Sequence, residues 1–299
     1  MRGYNYQNIG RLFNEWLFYL FFKNKKKVIQ KLNNSLKKDI EESIDFTLRN
    51  VGYYIQFLPE GKPDFLKDKT LLEIGPGQDL GIVLALAGFG LKNIVIIDPF
   101  FIDWNPDFHP EFYNQLLLRL KNIYPAADFQ LIQNILEKQS HLDEQLQIYQ
   151  VSLENASCVP NELIDISISN ATFEHFVLAE QAVKELSRIT KPGGLGFHQI
   201  DMRDHEHFDR PLEFLTCPNP IYRYITKISN ALRGNRLRYT EYNQLFEQYG
   251  FEVTFKVDAY ADEDYLNDIL TRCIDDYRVM PREVVAALGG RFFIEKGTI

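Results

Sequence analysis

Cysteine is scarce in this 299-residue chain: Cys158, Cys217 and Cys273 are the only three, far apart and odd in number. That excludes a disulfide framework and any cysteine-based metal spacing, and it points to a reducing compartment, the cytoplasm. Positive charge is also in deficit. With 33 Lys and Arg against 41 Asp and Glu the net charge is -8, which argues against a nucleic-acid partner, since such affinity comes from cationic surface. Long apolar runs are missing. Trp16-Leu17-Phe18-Tyr19-Leu20-Phe21-Phe22 falls far short of the roughly 20 residues that span a bilayer. No small-residue cleavage site follows it, so no cleavable signal is expected. Repeats and low-complexity stretches are absent as well. What is present, 45% apolar and 25% charged residues, is the composition of a globular protein with a large core.

The order of the segments suggests one α/β domain with additions. Residues 1–62 read as an N-terminal helical extension, closed by the turn cluster Pro59-Glu60-Gly61-Lys62-Pro63. Within it, the aromatic run and the following Lys23-Asn24-Lys25-Lys26-Lys27 read either as a helix docked on the domain or as an interfacial helix at the inner membrane face. From residue 63 to 299, short apolar strands alternate with amphipathic stretches. Strands are expected at Thr70–Ile74, Asn93–Asp98, Leu163–Ser169 and Leu195–Asp201, and helices at Ile82–Ala87, Glu111–Tyr124, Thr172–Thr190 and Thr240–Tyr249. Residues 128–150 are ambiguous, with Phe129–Ile132 readable as a strand and Gln133–Gln147 as a helix. This alternation implies a mostly parallel sheet with helices on both faces. Phe251–Val257 and Arg291–Lys296 suggest an antiparallel finish, and residues 203–245 an irregular, partly helical cap inserted after the fifth strand.

The densest chemistry lies in Glu73-Ile74-Gly75-Pro76-Gly77-Gln78-Asp79. An apolar strand runs into an acid and a Gly-x-Gly turn, and only glycine lets a backbone turn so tightly and approach a ligand so closely. A helix beginning behind such a turn can receive a polar or anionic ligand group. Alone, the turn fits a dinucleotide site, another nucleotide-type site or a structural bend. The three-glycine dinucleotide spacing is not met, and Glu73 stands where those folds usually place glycine. Asp98 ends the second strand 25 residues after Glu73, near the offset of about 20 at which an acid receives ribose hydroxyls.

These residues resemble the class I S-adenosylmethionine-dependent methyltransferases over roughly residues 66–299. Glu73-Ile74-Gly75-Pro76-Gly77 is similar to the first motif and Asp98 to the ribose acid. Asp165–Asn170 with Ala171-Thr172-Phe173-Glu174-His175-Phe176 is similar to the fourth-strand motif, and Lys191-Pro192-Gly193-Gly194 to the turn before strand five. The resemblance implies a Rossmann-like seven-stranded α/β sheet of order 3-2-1-4-5-7-6 and S-adenosylmethionine as cofactor. It implies cofactor contacts at Glu73, Gly75, Pro76, Gly77 and Asp98. Asn155 and Ala156 are the nearest match to the adenine contacts, although an acid is usual at the first position. Asn170 should lie near the methionine end. Asn235–Tyr242 and Gly250–Val253 add a looser resemblance to proteins of surface-polysaccharide and glycolipid assembly, so the expected reaction is O-methylation of a small-molecule or glycan acceptor. The rivals are a non-catalytic cofactor-binding module acting through a protein or membrane partner, and a nicotinamide-dependent oxidoreductase.

Acceptor chemistry is expected beyond the carboxyl end of strand five, in Asp201-Met202-Arg203-Asp204-His205-Glu206-His207. Histidine suits proton removal from a hydroxyl near neutral pH. His205 is the first candidate base and His207 the second, whereas His198, inside the strand, reads as packed. Asp201, His205, Glu206 and His207 are also of metal-binding type, but no spacing is diagnostic and no metal is assigned. Arg236 and Arg238 suit either a phosphate or carboxylate clamp or ion pairs with the following helix.

Overall fold

In the computed structural model the described residues are 39–101, 104–139, 144–229 and 233–298, the side chains of 228 and 229 excepted. Trp16–Phe22 and the basic patch lie outside them. Seven strands form one sheet of order β3-β2-β1-β4-β5-β7-β6, the order that the family resemblance implies. β1 (Thr70–Ile74), β2 (Asn93–Ile97), β3 (Leu146–Tyr149), β4 (Ile164–Asn170) and β5 (Thr190–Asp201) run parallel, with Leu72 opposite Val95 and Ser167. β6 (Phe251–Tyr260) and β7 (Ala287–Lys296) close the sheet as an antiparallel hairpin.

Alternation along β1 explains the two helical layers. Leu71 faces a cluster built from α1 (Ile40–Phe57), α2 (Gly81–Ala87), α3 (His109–Ile123) and α4 (Gln130–Lys138). Leu72 and Ile74 face α5 (Ala179–Ile189) and, farther along the sheet, α7 (Tyr239–Gln248). Helix α1 is anchored in this core: Asp39 caps it by accepting the Glu41 N–H, and Ile44, Val51, Tyr54 and Ile55 make its buried stripe. Each such side chain contributes about 1.5–3 kcal/mol when fully buried.

Three boundaries differ from expectation. Phe129–Ile132 is no strand: Leu131, Ile132 and Ile135 lie on the buried face of α4. The expected Thr172–Thr190 helix is divided into a 3-10 turn at Phe173–His175 and α5, which leaves Glu174 and His175 at the carboxyl edge of the sheet rather than along a helix. The cap is composite. Residues 203–245 supply Leu212, Phe214 and Tyr222 with α6 (Asn219–Ser229), but residues 261–286 supply Leu266, Ile269 and Tyr277, and the two pack into one cluster. Arg272 joins them through Glu213 at 2.7 Å. The sequence carried a signal for this second piece, an Asp262 cap before α8 (Glu263–Arg272), which is legible only beside its packing partner.

His198 is a packing histidine. Its ring nitrogens lie 2.9 Å from Ser169 Oγ and 3.2 Å from Ser167 Oγ, between the rings of Phe173 and Phe246. Burial lowers its pKa from 6.5 to about 3. The folded state therefore holds the neutral ring, so this residue's contribution is complete above about pH 6.5 and declines as pH falls toward 3. His198→Phe is expected to cost about 1–3 kcal/mol at pH 8 by leaving the Ser169 hydroxyl unpaired. The gap to the wild type should narrow by pH 5 in denaturant titrations; a constant gap would refute the buried neutral histidine.

Candidate functional site

The five parallel strands end together, and the chain leaves β1 toward β2 on one side while β4 lies on the other. A ligand crevice belongs at that divergence. The glycine turn sits there. Gly75 has φ +66° and donates its N–H to Ile97 O at 3.1 Å; a Cβ would stand 2.7 Å from Thr172 Oγ1. Gly77 has φ +79°, and a Cβ there would meet no described atom within 4 Å. The first glycine is demanded by a neighbour, while the second borders open space.

Helix α3 pins the loop behind the turn. Asn105 N–H donates to His109 Nδ1 at 2.8 Å, which leaves Nε2–H to donate to Gln78 O at 2.9 Å. Tyr113 OH accepts from Leu80 N–H at 3.2 Å, and Asp79 Oδ1 accepts from Gly81 N–H at the start of α2. Burial lowers the His109 pKa, which preserves that neutral ring. Sequence reading missed His109 and Tyr113 because they lie some 30 residues from the loop they hold.

Two buried acids flank the turn. Glu73 is 3% exposed, and its Oε2 has no hydrogen-bond partner among the described residues. Burial, then the charges of Asp79 and Asp98, raises its pKa well above the ordinary carboxylate range. Asp98 accepts N–H bonds from Phe100 and Gly77, which partly oppose the upward effect of its own burial. Its N–H donates to Tyr149 O at the end of β3. Asn170, at the end of β4, donates to the Tyr54 hydroxyl of α1 at 2.7 Å. Glu73, Gly75, Pro76, Gly77, Asp98 and Asn170 are thus gathered at one edge. Asn155 and Ala156 follow β3 in a separate turn: Asn155 is exposed, and Ala156 is buried with its carbonyl accepting from Arg188 Nη2 at 2.8 Å. A cavity lies beside Asn170 between α1 and the sheet, lined by Asn50, Tyr53, Tyr54, Gln199 and Arg291.

Beyond β5 the histidine loop is held by two ion pairs. Arg203 grips the Asp201 carboxylate at 2.6 Å, and the fully buried Asp204 pairs with Arg233, Nε to Oδ1 at 3.1 Å. Between them His205 turns inward. Its Nε2 lies 3.7 Å from Asp201 Oδ2 and 4.0 Å from Glu174 Oε1, too far for hydrogen bonds, and its ring is 4.8 Å from that of His175. Burial, then the His175 charge, lowers the His205 pKa to about 4, with Asp201 opposing. Glu174 is 2% exposed; Oε1 accepts the Asp201 N–H at 3.3 Å, whereas Oε2 is buried with no partner among the described residues. Desolvation raises its pKa strongly.

Glu174, His175 and His205 offer ligand atoms that all lie within 4.8 Å of one another. This differs from the set that the sequence suggested. Asp201 is occupied by Arg203, Glu206 is exposed, and His207 lies outside the cluster, in the turn closed by its N–H to Asp204 O. Arg236 and Arg238 are structural. Arg236 donates to the carbonyls of Phe214 and Cys217 beneath the Tyr222 ring, and Arg238 to four backbone carbonyls. Their guanidinium groups are committed to partners within the chain, and neither side chain pairs with acids of α7.

Among known proteins, the sequence profile of a family described as methyltransferase domain matches residues 45–255. No curated protein matches the sequence. Solved structures similar to this chain include Haemonchus contortus phosphoethanolamine N-methyltransferase 2 in complex with S-adenosyl-L-methionine. It is 12% identical, with TM-score 0.46, over 83% of this chain and 52% of that one. This chain therefore spans about half the length of that protein. The YcgJ protein of Bacillus subtilis is 14% identical, with TM-score 0.42, over 83% of this chain and 98% of that one.

Proposed function

The chain belongs to the methyltransferase-domain family, and on that footing we propose that it transfers a methyl group to the oxygen of a small-molecule or glycan-type acceptor. The cofactor of this domain is S-adenosylmethionine, which when bound supplies a methyl carbon attached to a cationic sulfur. The observation that carries the cofactor half is the turn itself: open space at Gly77, with the buried acids Glu73 and Asp98 on either side. We assign Asp98 to the ribose hydroxyls, Gly75, Pro76 and Gly77 to close backbone approach, and Asn170 to the methionine end. Asn155 and Ala156 are the proposed adenine-side contacts.

His205 is the side chain we assign to the acceptor hydroxyl, with His207 second. The buried Nε2 of His205 has no hydrogen-bond partner among the described residues. A hydroxyl is a weak nucleophile until its proton is drawn away, and that need favours oxygen as the acceptor atom. Residues 203–245, with 261–286, would cover and select the acceptor. Among the described residues no helix is long and apolar enough to cross a membrane. We place the protein in the cytoplasm, with Trp16–Phe22 as a candidate contact with the inner membrane face.

Methyl-labelled S-adenosylmethionine incubated with enzyme and fractionated extract tests this reading. Label in ether linkage within a carbohydrate, glycolipid or small hydroxylated compound is expected. Label confined to amines would overturn the oxygen assignment, and no label at all would overturn the reaction. His205→Ala should lower kcat by about 10²–10⁴-fold with cofactor affinity retained. Wild-type turnover would remove His205 from the chemistry.

A further inference from the structure

We propose that Glu174, His175 and His205 form a binding site for a divalent transition-metal cation, open toward the acceptor and able to hold an acceptor oxygen. The inference rests on the proposed reaction and specifies the part of His205: it acts on the hydroxyl through a cation rather than as a lone base.

Two buried, partnerless atoms carry it. Glu174 Oε2 and His205 Nε2 both lack hydrogen-bond partners among the described residues, in a protein interior where such atoms are nearly always satisfied. They come from different elements, the turn after β4 and the loop after β5, and converge on one point with a third donor, His175. A lone base would account for Nε2 and leave the carboxylate oxygen without a purpose; a cation satisfies both. Two imidazoles and one carboxylate are the ligand set of Zn²⁺, Mn²⁺, Fe²⁺ or Co²⁺, whereas Ca²⁺ and Mg²⁺ favour all-oxygen sets. Three protein ligands leave positions open, the pattern of catalytic rather than structural sites.

The surroundings are those of supported ligands. The Asp201 N–H holds Glu174 Oε1, leaving Oε2 as the free donor. Arg203 fixes Asp201 and with it the N–H that holds Oε1. The Asp204–Arg233 pair fixes the residue before His205. Outer partners of this kind orient metal ligands and tune affinity. The donor atoms lie within 4.8 Å of one another, whereas ligands about 2.1 Å from one ion stand about 3–4 Å apart. The site must therefore close by about 1 Å on binding, within the reach of histidine side-chain rotation.

The test uses the full chain stripped by chelation. It carries Cys158→Ser, because the exposed Cys158 thiol would otherwise compete for metal. Calorimetric titration with Mn²⁺ and with Co²⁺ should give one cation per chain, the cobalt complex showing visible ligand-field absorption. Glu174→Gln and His205→Gln, each checked for native circular dichroism, should each weaken binding by about 100-fold or more and abolish the absorption, with S-adenosylmethionine affinity unchanged. His175→Gln should act alike, and serves if either of the others does not fold. Absence of stoichiometric binding by the stripped chain, or equal binding by folded variants, overturns the site. Intact cofactor binding with no cation bound would sink this inference alone, whereas loss of labelled methyl transfer despite cation binding would sink the proposed reaction.

Discussion

Replacing Asp98 by alanine is expected to raise the dissociation constant for S-adenosylmethionine by about 100-fold or more while the chain remains folded. Asp98 is 7% exposed at the tip of β2, and it accepts N–H bonds from Phe100 and Gly77. It therefore holds the second glycine of the turn to the neighbouring strand, and in the proposed site the same carboxylate meets the ribose hydroxyls. A hydrogen bond to a charged group is worth about 1.5–3 kcal/mol, and the two ribose hydroxyls that we propose this carboxylate binds would bring the loss to at least two orders of magnitude. Asp98→Asn keeps an acceptor for the backbone N–H groups but gives up the charge, so a smaller loss of about tenfold is expected. Calorimetry with S-adenosylmethionine separates the two variants. Wild-type affinity in Asp98→Ala would dismiss the crevice as the cofactor site.

Arg238→Met should lower folding stability by about 3–5 kcal/mol, the range for removing one partner of a buried charged network. The arginine is fully buried, and its guanidinium donates to the carbonyls of Met202, Val284, Val285 and Ala287. Methionine approximates the volume but leaves four buried acceptors without donors. Those carbonyls belong to the end of β5, the start of β7 and the helical turn between them, so the loss loosens the cap and the sheet together. At about 2–4 °C per kcal/mol, thermal unfolding should shift down by roughly 6–20 °C. Arg238→Lys should fall between the two, since an ammonium keeps charge but cannot fork to four carbonyls. A Met variant melting within a degree or two of the wild type would show that the carbonyls find other donors, and would remove Arg238 from the framework.

Asp98 was legible because it ends a β-branched run, Ile94-Val95-Ile96-Ile97, at a fixed distance from a glycine turn. Arg238 was legible only as a cation in an arginine-rich stretch, where ligand clamp and surface pair were both open. Burial decided against both. His198 lay in between: its place inside a strand marked it as packed, but its serine partners on β4 required the sheet. His109 gave no local sign, because its partner is a backbone carbonyl in a different loop.

By itself the sequence determined six of the seven strands and most of the helices between the parallel ones, the glycine turn with its two acids, and the position of the histidine loop after strand five. Those features are local: periodicity of two or 3.6 residues, the φ demanded of glycine, the short range of turn chemistry. Only the tertiary structure decided which histidines and acids meet. Glu174 and His175 lie 31 and 30 residues before His205 along the chain, and strand pairing of β4 with β5 brings their ends together. It likewise joined residues 261–286 to the cap and turned Arg236 and Arg238 inward. Contacts between distant segments depend on register and burial, and no spacing along the chain encodes them.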